Sequence, residues 1–184
     1  MLRKESLILR VAEGGISLRK SQDVIGLPVI QVNTGQRLGV VRDLLFDEQQ
    51  ILRGVLLENG GWVRRGSFIP SERIASFGAD AVIVDSEEAV LPLDEEQQRW
   101  IGLLSGQRKL KGRQVMMANG EELGIVEDVY FKEDLGTLVG YELSDGFLAD
   151  IREGRKVLQP TDQLTWGEDV LIAPTVGISI QDAR

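Results

Sequence analysis

Cysteine and histidine are both absent from the 184 residues, and aromatic side chains make up only 5% of them. Those absences exclude disulfides, thiolate nucleophiles, cysteine-ligated iron–sulfur clusters, imidazole acid–base catalysis and the commonest zinc ligands. Long apolar runs are missing as well, since no stretch approaches the roughly 18 residues that a membrane-spanning helix needs. The first residues, MLRKESLILRVAEGG, are basic in part, but the apolar run Leu7 to Leu9 stops at Arg10, too short for a signal peptide or an anchor. A cytoplasmic protein without a membrane span is therefore expected.

Clustered positive charge is the next thing in short supply. The net charge is −8. Residues 18–84 carry 8 basic and 7 acidic side chains, 85–107 carry 1 and 6, and 108–173 carry 8 and 13. Nucleic-acid binding needs Lys and Arg gathered against phosphates, and the one local pair in the first half is Arg64 and Arg65. A nucleic-acid partner is disfavoured on that ground.

What the chain does have is a phrase written twice. LGVVRDLLFDE (Leu38 to Glu48) and LGIVEDVYFKE (Leu123 to Glu133) agree at 6 of 11 positions. The likeness extends outward in order: Gly26 matches Gly112, Val29 matches Val115, Gly54 matches Gly140, Leu57 matches Leu143, and FGADAVIV matches WGEDVLIA. A repeat of this length means one structural unit built twice.

Each unit reads as short strands punctuated by turns. In the first copy the strand candidates are Val29 to Val32, Leu38 to Phe46, Leu52 to Glu58, Trp62 to Val63 with Ser67 to Ile69, Ile74 to Phe77 and Ala81 to Val84. The turns between them hold Asn33-Thr34-Gly35, Asp47 to Gln50, Asn59-Gly60-Gly61 and Gly78-Ala79-Asp80, residues that tolerate turn conformations. In the long strand, strict alternation puts Arg42 among Leu38, Val40, Leu44 and Phe46, while Asp43 falls between Val41 and Leu45. A strand apolar on both sides is covered on both sides or reset by a bulge, and the aspartate marks the place for one. Between the copies, Asp94 with Gln97 forms a capping-box pattern ahead of Trp100, Ile101, Leu103 and Leu104, so a linker helix is expected over roughly 94–105.

The expectation is an all-β chain of two tandem small barrels joined by a short helical linker. Its parts are an N-terminal extension (1–17), a first barrel (18–85), a linker (86–108), a second barrel (109–174) and a tail (175–184). The run SLRKSQDVIGLPVIQVNTGQRLGVVRDLLFDE, followed by GVLLE and FIPSERIASFGADAVIV, resembles the PRC-barrel domain. The likeness covers about Leu18 to Val84 and, more weakly, Leu110 to Ala173; the motifs are specific as a set, whereas one Gly-x-Val-x-Asp alone is not. The domain is known from the H subunit of the photosynthetic reaction centre and from a ribosome maturation factor. The resemblance implies a small barrel that docks on proteins, with no enzymatic activity. This chain departs from both relatives, lacking the membrane helix of the first and the preceding barrel of the second, so neither specific role carries over.

Gly39 and Asp43, with Gly124 and Asp128, are the recurring motif. A shared carboxylate invites a catalytic or metal reading, but a short acceptor at a bend satisfies backbone N–H groups, and neither aspartate has a nucleophile or base beside it in sequence. Asp145, Asp150 and Glu153 lack the spacing of a calcium loop and read as a solvated acidic segment. No catalytic, cofactor or metal residue is assigned. Trp62, Arg64 and Arg65, in GGWVRRG, combine residue types that favour interfaces, and the second copy replaces this stretch with one beginning at Phe147. The simpler reading has Trp62 capping the core and the arginines in water. The sequence thus points to a non-enzymatic scaffold or adaptor that binds another protein, with self-association into a homodimer as part of that reading. The alternative is an accessory factor in RNA processing or ribosome assembly.

Overall fold

The fold is described from a computed structural model, over residues 17–58, 66–134, 136–145, 154–160 and 163–183. The chain divides into two units, one of Lys20–Lys109 and one of Leu110–Arg184 together with Met1–Arg19.

The elements in chain order begin with β1 (Leu18–Lys20), a one-turn helix α1 (Ser21–Val24), β2 (Pro28–Gln31), β3 (Arg37–Phe46), β4 (Leu52–Glu58), β5 (Ser67–Pro70), β6 (Ile74–Phe77) and β7 (Val82–Val84). Then come β8 (Leu91–Pro92) and β9 (Ile101–Gly102). The second copy contributes β10 (Gln114–Met117), β11 (Glu122–Lys132), β12 (Leu138–Ser144), β13 (Arg155–Pro160), β14 (Thr165–Trp166), β15 (Val170–Ala173) and β16 (Ile178–Ala183). One sheet runs β6-β7-β2-β3-β4-β5-β8 with β9 on β3, and the other runs β14-β15-β10-β11-β12-β13-β16 with β1 on β11. The architecture is all-β, two curled sheets of the same strand order.

The same local devices build both sheets. Gly26 and Gly112 have positive φ and donate N–H bonds to Val41 and Val126 respectively, each 2.8 Å. In each copy the first strand of the repeat pairs parallel with the last, Val29 opposite Val82 and Val115 opposite Leu171. Gly39 and Gly124 lie against the neighbouring strand, where an added Cβ would meet the Glu58 carbonyl oxygen at 3.1 Å and that of Ser144 at 2.8 Å. Such close backbone approach explains why the motif keeps glycine. The cores are apolar and alternate along the strands, with Val29, Leu44, Phe46, Val55, Ile69 and Val84 buried in the first copy and Val115, Val129, Phe131, Tyr141, Leu158 and Ala173 in the second.

The break in alternation at the aspartate is a bulge in both copies. Register shifts between Val41 and Asp43 as β3 pairs with β4, and between Val126 and Asp128 as β11 pairs with β12. The extra residue, Arg42, is left in solvent, while Val41 and Asp43 on either side of it are buried. The bulge turns Val41 and Asp43 to opposite faces, and beyond it Leu44, Leu45 and Phe46 are all buried, so the strand is also covered on both sides.

Two segments differ from the sequence reading. The linker helix over 94–105 does not form. Its cap does, for Asp94 Oδ1 accepts from the N–H groups of Glu96 and Gln97, and Gln97 Oε1 accepts from Asp94 N–H at 2.7 Å. A single 3₁₀ turn over Gln97–Arg99 follows, and Trp100 already has an extended backbone. Trp100 packs on a cluster of Leu45, Leu56 and Phe68, and Ile101–Gly102 pairs with Phe46 and Leu45. The strand edge and the apolar face of the first copy outcompete helix propensity, which is a weak preference. The second difference lies in residues 175–184, read as a tail, where Ile178–Ala183 forms β16 along the whole of β13.

Candidate functional site

Asp43 is fully buried, and both of its oxygens are occupied by protein donors. Oδ1 accepts from the N–H of Leu44 at 2.8 Å and of Leu104 at 3.0 Å. Oδ2 accepts from Ser105 N–H at 2.9 Å and from the Ser105 hydroxyl at 2.6 Å. The bulge turns this carboxylate onto the face that carries Leu56 and Phe68, because Asp43 stands opposite Leu56 and Leu56 opposite Phe68. The segment after the first copy then lies over the same face. Leu93 and Trp100 pack on Leu45, Leu56 and Phe68, with the Trp100 and Phe68 rings edge to face at 5.5 Å. Leu103 N–H bonds to the Leu44 carbonyl, and Gly102 allows the chain to pass close, since a Cβ there would lie 2.8 Å from Asp43 Oδ2. Asp43 is thus the anchor of a covering strap. Its acceptor capacity goes to backbone N–H groups that burial would otherwise leave without partners.

The matching face of the second copy is built from different chemistry. Glu142 takes the place of Leu56 and Tyr130 that of Leu45. Both are buried; the Tyr130 hydroxyl donates to Glu142 Oε2 at 2.9 Å, and Arg155 Nη1 donates to Glu142 Oε1 at 2.8 Å. A buried carboxylate held by a charged donor and a hydroxyl is a satisfied polar network, the arrangement in which burial of charge is tolerated. Asp128 is buried beside it and accepts from Val129 N–H at 2.8 Å, as Asp43 does from Leu44. Inside the second sheet, Tyr141 and Trp166 stand where the first copy has Val55 and Phe77, and Trp166 Nε1 donates to the Tyr141 hydroxyl at 3.3 Å. Burial pushes the Tyr141 hydroxyl well above its usual pKa, and the bond from Trp166 offsets this only in part.

The motif residues Gly39, Asp43, Gly124 and Asp128 therefore sit at the strand crossings and bulges just described. Trp62, Arg64, Arg65 and Phe147 lie outside the described residues, as do Asp150 and Glu153. Asp145 forms an ion pair with Lys156. Among the described residues no group of three or more acidic side chains is placed to hold a metal ion, and no helix is long and apolar enough to cross a membrane. Sequence reasoning missed the partnership of Asp43 with Ser105 and the network around Glu142. The first was hidden by the helix reading of 94–105. The second had a signal, an acidic residue where the other copy has leucine in the middle of an apolar strand.

Comparison with known proteins agrees with this geometry. The PRC-barrel domain matches the chain twice, over residues 18–91 and 105–177. An uncharacterised protein of Bacillus subtilis, YrrD, is 30% identical over 150 residues, which span 80% of this chain and 82% of that protein.

Proposed function

The chain belongs to the PRC-barrel family through both of its copies, and from that premise we propose that it is a non-enzymatic scaffold of the cytoplasm that binds another protein through the loops in which the copies differ. The observation that carries this reading is the use made of Asp43, the one recurrent polar group with a reactive look. Four hydrogen bonds from the chain's own N–H and O–H groups tie it to structure. The copies keep the bulge and the glycines and change the stretch at 60–66 against 146–156. Conserved framework with divergent loops is the pattern of a docking module, since loops on a rigid scaffold carry recognition. Trp62, Arg64 and Arg65 supply side chains suited to the centre of an interface.

Affinity capture of the tagged full chain from native cells, with quantitative mass spectrometry, tests the proposal. A protein enriched by the wild type and lost from the Trp62→Ala/Arg64→Ala/Arg65→Ala variant, at an unchanged melting temperature, is the expected result. Equal recovery by both proteins, or none by either, would sink it.

A further inference from the structure

The longest strand of each copy outruns its neighbour on one edge. Strand β3 has 10 residues and β11 has 11, and on one side β4 and β12 follow them to the end, Phe46 opposite Leu52 and Phe131 opposite Leu138. On the other side β2 pairs with β3 only as far as Val40, and β10 with β11 only as far as Ile125. Backbone bonds carry the contact one residue further, Gly26 and Leu27 with Val41, Gly112 and Arg113 with Val126, and the bulge follows. Past it, among the described residues, neither copy pairs this edge with a strand of its own. An open strand edge presents N–H and C=O groups with which a further extended segment can pair.

Each open edge is filled from outside the repeat, and by the same devices. In the first copy Gly102 and Ile101 pair antiparallel with Leu45 and Phe46, and the Leu103 N–H bonds to the Leu44 carbonyl. In the second, β1 pairs with β11, and the Glu133 N–H bonds to the Ser17 carbonyl at 2.9 Å. The glutamate that closes both versions of the repeated phrase is used alike. Glu48 Oε1 accepts from Arg108 Nη1 at 2.8 Å, and Glu133 Oε2 pairs with Arg19 Nε at 3.5 Å. The filling segments themselves, IGLLS at 101–105 and SLRK at 17–20, have little in common. A place that takes two different segments through main-chain bonds reads an extended backbone before it reads a sequence.

We propose that in the first copy the edge of β3 from the bulge to Glu48 is a docking site for an extended polypeptide segment of the strap's chemistry, an aromatic residue followed by leucine, serine and arginine. The strap shows each role. Trp100 packs on Leu45, Leu56 and Phe68, and Leu103 is buried. Where the strand pairing ends, Asp43 takes the N–H groups of Leu104 and Ser105 and the Ser105 hydroxyl. Arg108 meets the charge of Glu48, an exposed pair that sets direction more than affinity. A partner chain carrying such a segment competes with the strap for one place, and the strap's tether gives it the advantage at equal affinity. This site is a strand edge and not the loop at 60–66, and it is tested on purified protein, so it and the capture experiment fail independently.

The probe is a synthetic peptide of residues 98–109, QRWIGLLSGQRK, labelled for fluorescence anisotropy. In the full chain Gly102→Val evicts the tethered strap, because a Cβ there meets the Ser105 carbonyl oxygen at 2.3 Å and Asp43 Oδ2 at 2.8 Å. Leu103→Asp evicts it by another route, placing a charge where the side chain is 1% exposed. Both variants are expected to bind the peptide, and the wild type, whose site is filled, at least about tenfold more weakly. A peptide N-methylated at the residues matching Leu104 and Ser105 keeps every side chain but loses the donors for Asp43. The variants should bind it more than about tenfold more weakly than the unmodified peptide. Binding by neither variant, equal binding by the wild type, or undiminished binding of the N-methylated peptide would overturn the proposal.

Discussion

The two copies carry one backbone plan and two different ways of covering it. On the first, Leu45, Leu56 and Phe68 make an apolar face that Leu93 and Trp100 cover, with Asp43 fastening the strap that follows. On the second, Tyr130 and Glu142 stand at the positions of Leu45 and Leu56 and make a polar network that Arg155 joins. Duplication kept what the backbone requires, namely bulge, close glycine and turn, and freed the side chains above it. The strands that complete each sheet show the same freedom: β9, ahead of the second copy, joins the first sheet, and β1, at the very start of the first copy, joins the second.

The largest effect should come from the strap's anchor. Asp43→Ala leaves the N–H groups of Leu44, Leu104 and Ser105 and the Ser105 hydroxyl without their acceptor. At about 1–3 kcal/mol for each buried polar group deprived of its partner, with some relief as water enters, a loss of about 4 kcal/mol is expected. Urea unfolding measures it, and amide exchange at Leu104 and Ser105 should accelerate ahead of the core.

A matched pair of glycines gives the next test. A Cβ on Gly54 would lie 2.2 Å from the Ile69 carbonyl oxygen and 2.3 Å from the Phe68 ring, whereas on Gly140 the nearest atoms are 3.5 Å away. Gly54→Ala should cost about 3 kcal/mol through forced backbone movement. Gly140→Ala should stay within about 1 kcal/mol of the wild type, since ordinary contact is met and the unfolded chain loses freedom. Equal costs would mean that the two copies pack alike where they are described as differing.

The smallest effect is one of pH. Burial raises the Tyr141 hydroxyl pKa, so in the alkaline range the unfolded state loses this proton before the folded state does. Stability from this group is complete below about pH 10, the ordinary tyrosine value, and falls as pH rises above it. Tyr141→Phe should cost about 1 kcal/mol at neutral pH, through the Trp166 N–H left without its acceptor, and should flatten the alkaline decline. Melting temperature followed from pH 7 upward provides the comparison. The first copy, with Val55 and Phe77 in these places, has no such sensitivity.

Much of the framework was legible because its signals are local. Leu52–Glu58 and Ile74–Phe77 are short runs bounded by turn residues, and the structure ends those strands at the same residues. The bulge could be read from a broken period, since an extra residue at Arg42 puts Val41 and Asp43 on opposite faces of the sheet, where a regular strand would put them on one. The linker was misread because its outcome depends on distant partners. The capping box at Asp94 is real, but Trp100 and Ile101 gain more from Phe68 and from the edge of β3 than from another helical turn. Strand β16 was missed because six residues of modest hydrophobicity show what they are only when set beside β13. The acceptor role of Asp43 could be guessed in kind from the sequence, whereas its partners, Leu104 and Ser105, lie 61 and 62 residues away.

If framework is shared and recognition lies in the loops, exchanging a loop should move function without moving stability. The decisive measurement is quantitative affinity capture with a chimera in which residues 60–66 are replaced by residues 146–156 of the second copy. The account predicts that the partner enriched by the wild type is lost from the chimera while the melting temperature holds. Undiminished capture by a folded chimera would contradict it.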